Sequence, residues 1–235
     1  MSMVRAAGRW AGVGALLATA SYAVYVGRAW LTYGRITPLK STEANDEHLD
    51  SLMPSYDVVE RHSVRVAAPA ETTFQAAVEM DLQQSPIVRA IFKSREWIMG
   101  SQPAPDRGPG DFIEQMTRIG WGMLAEVPGR EIVMGAVTQP WLADVVFRPL
   151  SPDAFATFRE PDYVKIAWTL RADPVGSSES IFRTETRVAT TDRRARAKFR
   201  RYWAFVSPGI ILIRRLLLAP LKAEAERRAR TTQHA

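Results

Sequence analysis

"FRTETRVATTDRRARAKFRRYWAFVSPG", Phe182 to Gly209, changes its period half-way along. Phe182, Thr184, Thr186 and Val188 share one face of an extended chain, and Arg183, Glu185 and Arg187 share the other. Thr190-Thr191-Asp192 ends the alternation. Ala195, Phe199, Tyr202 and Val206 then recur at helical spacing with Trp203 beside them, and Arg193, Arg194, Lys198 and Arg201 lie largely off that stripe. The stretch predicts a strand, a turn and a helix capped by the Asp192 carboxylate. Pro208 predicts a kink or break, because proline lacks the amide donor and crowds the preceding turn. Beyond it "IILIRRLLLAPL", Ile210 to Leu221, is apolar nearly all round and should be buried or meet lipid.

Upstream, "YVKIAWTL" puts Val164, Ile166, Trp168 and Leu170 on one face of a strand, with Lys165 and Thr169 on the other. Strands are expected near Asp57–Ala67, Asp111–Arg118, Gly122–Val127, Arg130–Val137, Ala143–Arg148, Asp162–Ala172 and Glu179–Thr190. A helix should begin at Pro69 and a second at Ser85-Pro86. Ser151 should cap a short helix over Ser151–Phe158, and Ser41–Leu49 reads as another short helix. The order is strand, two helices, six strands and one long helix.

That order resembles the helix-grip fold of the START-like, polyketide-cyclase-like (SRPBCC) superfamily. The residues that carry the resemblance are "VRVAAPAETTF", "DYVKIAWTL", "FRTETRVATTDRRARAKFRRYW" and "SPGIILIRRLLL". They are similar to those of an uncharacterised bacterial subgroup, over about Asp57 to Arg230. The resemblance implies an α+β protein. A curved antiparallel sheet of about seven strands would wrap a long kinked C-terminal helix, with a cavity for an apolar ligand between them. It implies no particular chemistry, because members include lipid carriers, receptors and cyclases.

The net charge is +6, and the excess is local. From Asp192 onward, twelve basic residues against Asp192, Glu224 and Glu226 leave +9. A basic helix raises the question of nucleic acid, but the aromatics occupy its core-facing stripe and no groove-reading motif is present. Anionic lipid headgroups suit the basic face better. The chain has no cysteine, which excludes disulfides and thiol catalysis. His48, His62 and His234 stand far apart, so the sequence predicts no metal site, and no cofactor motif is found.

"WAGVGALLATASYAVYVG", Trp10 to Gly27, carries no charge over 18 residues. It reads as a membrane anchor with the domain on the cytoplasmic side. Two alternatives stay open: a cleavable signal peptide with Ser21-Tyr22-Ala23 at its end, followed by export, and a Gly/Ala-rich helix packed on the domain. The domain reading is residues 1–31 as anchor or signal-like helix, 32–56 as linker, and 57–235 as the helix-grip domain.

The candidate ligand-binding residues are Trp97, Trp121, Trp141, Trp168, Phe199, Tyr202 and Trp203, with Glu185 and Arg187 as polar groups. For the aromatics the alternative is plain core packing. For Glu185 and Arg187 the alternatives are a solvated charge ladder and a pair pointing into the cavity. The resulting expectation is membrane-tethered, non-catalytic binding of a hydrophobic small molecule or lipid. A cyclase- or dehydratase-type enzyme using Glu185 and Arg187, and a membrane-associated scaffold, are the alternatives.

Overall fold

The computed structural model describes residues 19–28, 46–80 and 110–233. Residues 19–28 are helical. The elements that follow are α1 (Glu47–Leu52), β1 (Val58–Val66), α2 (Ala70–Val78), α3 (Phe112–Arg118), β2 (Gly122–Val127), β3 (Glu131–Thr138), α4 (Pro152–Thr157), β4 (Val164–Pro174), β5 (Ser180–Thr190) and α5 (Arg193–Gln233).

Among the described residues the sheet has five strands, all antiparallel, in the order β1-β5-β4-β3-β2. This is the helix-grip arrangement, with two fewer strands than expected. The missing two are accounted for. The segment expected as a strand over Asp111–Arg118 is α3, whose first turn is capped by Asp111 Oδ1 accepting from the Glu114 amide at 2.8 Å. Phe112, Ile113 and Met116 pack into the core at helical rather than alternating spacing. The segment Ala143–Arg148 forms a single bridge, Val137 to Arg148, instead of a strand. The Phe147 carbonyl lies against Gly120, where a Cβ would sit 2.2 Å from its oxygen. That close approach, at a φ of +100°, needs glycine.

The sheet is covered on both sides. On one side, Val66, Phe74, Met116, Trp121, Met134, Trp168, Phe182, Leu221 and Ala225 share a core. A second group on that side joins Val58, Val164 and Val188 to Phe199 and Trp203 of α5. On the outer side, Leu49, Met53, Tyr56, Leu124, Val133, Val137 and Phe155 pack together under α1 and α4. Gly135 opens room there for Leu124 and Phe155, whose side-chain atoms lie 2.3 and 3.1 Å from where its Cβ would stand. Residues 46–56, read from the sequence as linker, thus belong to the packed unit. Their helix is Glu47–Leu52, capped by Asp46 Oδ1 at 2.9 Å from the Leu49 amide.

α5 runs without interruption through Pro208 and Pro220, so the break expected at Pro208 does not occur. Packing holds the helix on both sides of that proline: Phe199, Trp203, Ala204 and Ser207 are buried before it, and Leu221, Ala225 and Ala229 after it. Asp192 caps the helix as expected, accepting from the Ala195 amide at 2.8 Å. Its other oxygen takes the amide of Asp162 at 2.6 Å, which steadies a residue with φ of +68°. The stretch Phe199–Leu221 is about 33 Å long at helical rise. Strand β1, whose first residue packs with Phe199 and whose last packs with Leu221, spans roughly 27 Å. The helix therefore lies along β1 over the whole strand.

Candidate functional site

The helix side of the sheet holds two aromatic groups. In one, Trp121 stacks on Phe147 at 4.9 Å and meets Trp168 edge-on at 5.8 Å, with Phe112 5.3 Å from Trp168. In the other, Phe199 stacks on Trp203 at 5.6 Å and lies 6.1 Å from Tyr202. Trp141 packs against the second group, with the Lys198 ammonium 5.4 Å over its ring. The predicted aromatics thus form two walls rather than one. Trp97 and the helix expected at Ser85 lie outside the described residues.

Polar residues of β1 and β5 lie on the same face, under the middle of α5. The register places Glu60 opposite Thr186 and His62 opposite Thr184, and Thr186 is also opposite Trp168 on β4. Arg214 reaches down from the helix, donating from Nη1 to Thr184 Oγ1 at 3.3 Å. Glu60 Oε2 stands 3.9 Å from His62 Nε2. Among the described residues, His62 Nε2 and Thr186 Oγ1 are buried without a hydrogen-bond partner. Burial lowers the His62 pKa, and the charges of Arg214 and Arg215 lower it further. His62 is therefore neutral near pH 7, able to donate from one nitrogen and accept at the other.

Glu185 and Arg187 take neither of the two places expected of them. They project from the opposite side of β5, away from α5, and are buried there. Arg187 Nε donates to Glu185 Oε1 at 2.6 Å and Nη1 donates to the Met53 carbonyl at 3.1 Å. Its Nη2 pairs with Asp50 at 2.7 Å, and the guanidinium lies 4.8 Å over the Tyr56 ring. Arg61 grips the same Glu185 with two bonds, at 2.8 and 3.0 Å. Burial works against the Arg187 charge, but Glu185 and Asp50 outweigh it and hold its pKa above the ordinary value. The pair fastens α1 to the sheet. It was misplaced because alternation gives which residues share a face, not which face carries the long helix.

The sequence reading missed Thr184, Thr186, Glu60 and Arg214 as site residues. The signal was present: threonines at alternate positions in a face otherwise made of Phe182 and Val188, and arginines inside an apolar helix. Each is a polar group on a surface that should be dry.

The N-terminal anchor reading falls largely outside the described residues. What is described of it is mostly exposed and hydrogen-bonds to α5. Tyr22 donates its hydroxyl to the Phe205 carbonyl at 2.7 Å, and Tyr25 shares a hydrogen bond with Ser207 Oγ at 3.1 Å. These contacts fall on the helical turn that precedes Pro208.

No family model matches the chain, and no curated protein gives a significant match. Among solved structures, the chain is similar to CalU16 from Micromonospora echinospora, at 12% identity over 75% of this chain and 88% of that one, with a TM-score of 0.25. It is similar to the Zhui aromatase/cyclase from Streptomyces sp. R1128, at 13% identity over 73% and 94%, with a TM-score of 0.23. It is also similar to norcoclaurine synthase from Thalictrum flavum, at 14% identity over 82% and 96%, with a TM-score of 0.29. These low-scoring likenesses carry no weight beside the strand order and the helix laid along β1. On those two features, the chain is an α+β protein of helix-grip fold, the fold expected of the START-like, polyketide-cyclase-like superfamily that its sequence resembles.

Proposed function

We propose that this chain binds a hydrophobic small molecule or lipid between the sheet and α5, without catalysis, and does so at a membrane surface. One observation carries the reading: His62 Nε2 and Thr186 Oγ1 are buried on the helix side without hydrogen-bond partners among the described residues, next to Arg214 and flanked by two aromatic groups. Buried polar atoms are normally hydrogen-bonded, so an inward-facing pair without partners is what a ligand's polar end would complete. The apolar body would lie on Trp168 and Trp121. The enzyme alternative loses its named residues, since Glu185 and Arg187 face the other side of the sheet.

Support for the membrane comes from the outer face of the same helix. α5 is long and apolar enough to cross a bilayer by length and composition. Its two ends, however, pack on one sheet, through Phe199 at one end and Leu221 at the other, so its middle cannot pass through a bilayer. It can lie on one. Tyr22, Val24, Phe205 and Leu212 are exposed on α5 and the helix docked beside it, between the exposed Arg201 and Arg215. Apolar residues rimmed by arginine are the pattern of an interfacial helix facing anionic headgroups.

The ligand reading is tested by fluorescence titration of the full chain with cis-parinaric acid. Saturable binding that weakens in His62→Ala and Thr186→Val is expected. Absent binding, or binding that both variants leave unchanged, rejects the site.

A further inference from the structure

We infer that Asp46, His48 and Glu131 form a site for one divalent transition-metal ion, which clasps the start of α1 to the start of β3. One ligand atom from each of the three residues lies within 4.8 Å of the others. Asp46 and His48 flank Glu47 in the sequence and Glu131 lies far downstream; the fold joins them because the start of α1 lies beside the first residue of β3.

Three observations point to an ion rather than to ordinary pairing. Glu131 has a side chain only 6% exposed, and its Oε1 has no hydrogen-bond partner among the described residues. His48 Nδ1 stands 3.5 Å from that oxygen. That is long for a hydrogen bond, but two ligands each about 2.1 Å from a shared ion in tetrahedral geometry stand about 3.4 Å apart. Finally, Asp46 is itself buried, at 5% exposed, so two carboxylates meet away from water. Among the described residues the arginine paired with Glu131 is Arg171, which is engaged with Asp173 at 2.7 Å and lies 3.9 Å from Glu131 Oε2. A divalent ion would add positive charge that one arginine at this distance supplies only weakly.

The donor set, one imidazole and two carboxylates, suits Zn2+, Co2+ or Mn2+. His48 is 40% exposed on its side chain, which gives the ion a route in and leaves room for water as a further ligand. Asp46 is orientated by its capping bond to the Leu49 amide, so the ion would fix α1 in place. Because α1 also supplies Asp50 and closes over Arg187, the clasp would stabilise the whole outer layer. This inference is independent of the ligand reading on the other side of the sheet.

The test uses the untagged full chain, stripped with chelator and dialysed against Co2+ and Zn2+. One equivalent of metal per chain is expected, with a visible Co2+ absorption band and a melting temperature that rises with Zn2+ concentration. His48→Ala should weaken Zn2+ binding by about tenfold or more, because it removes one of three protein ligands. Glu131→Gln should abolish the Co2+ band while circular dichroism shows the fold retained. Should Glu131→Gln fail to fold, His48→Ala decides alone, since its side chain is partly exposed. No retained metal, or one equivalent retained equally by both variants, overturns the inference.

Discussion

Arg187 Nε donates to Glu185 Oε1 at 2.6 Å on the side of β5 turned away from α5. The pair is buried and tied to Asp50, Met53 and Arg61, so it stabilises the outer layer instead of meeting a ligand. Breaking a buried pair by removing one partner costs about 3–5 kcal/mol. Arg187→Ala should lose that much in urea unfolding. Replacing both, as Glu185→Gln with Arg187→Met, should cost less than the sum of the single losses. A loss below about 1 kcal/mol for Arg187→Ala would show a solvated pair of the kind typical at surfaces.

Thr186→Val separates the demands of binding from those of folding. Its Oγ1 is buried without a hydrogen-bond partner among the described residues, so an isosteric apolar replacement should leave the unliganded chain equally stable or raise its stability by about 1 kcal/mol. The same change should weaken ligand binding. Lower stability in the ligand-free chain would mean that the hydroxyl already has a structural role.

Lys165 predicts a pH dependence. It is buried on the outer side, donating to the Ala156 carbonyl at 3.0 Å with its ammonium 4.9 Å from the Phe155 ring. Burial pushes its pKa down to about 8 from an ordinary 10.5, and the charge of Arg159 adds to the shift. Between those two values the unfolded chain binds more protons than the folded one, so stability rises with pH across that window. Below about 8 both states are protonated and the penalty is constant. Chemical unfolding of Lys165→Met from pH 7 to 10 should show a flatter rise than wild type. Parallel curves would assign the rise to other groups.

Membrane association should depend on the outer face of α5. Phe205→Glu with Leu212→Glu removes exposed apolar surface without touching the buried stripe. Co-sedimentation with anionic vesicles should fall several-fold in this variant, and wild-type binding should weaken as salt is raised. Undiminished binding would return the membrane role to the residues before position 19.

Much of the fold was legible in the sequence, because period is a local property. The switch at Thr190–Asp192 marked β5, the cap and α5, and Ser151 marked α4. Two kinds of error remained. Phe112 to Arg118 and Ala143 to Arg148 are short apolar segments in which helix, strand and loop patterns overlap, and only tertiary packing separates them. The side of the sheet on which Glu185 and Arg187 would lie depended on where α5 settled, a long-range fact. The helix ran through Pro208 because packing contacts on both sides of it offset what proline removes.

An apolar molecule is proposed to bind between the sheet and α5, over His62, Thr186 and Trp168. Native mass spectrometry of the full chain, purified from its expression host in mild detergent, tests it most directly. A bound species of lipid or small-molecule mass is expected in wild type, extractable into organic solvent and lost in Thr186→Trp, whose bulk would block the proposed site. A chain that is ligand-free when purified, and stays so after exposure to a total lipid extract, would contradict it.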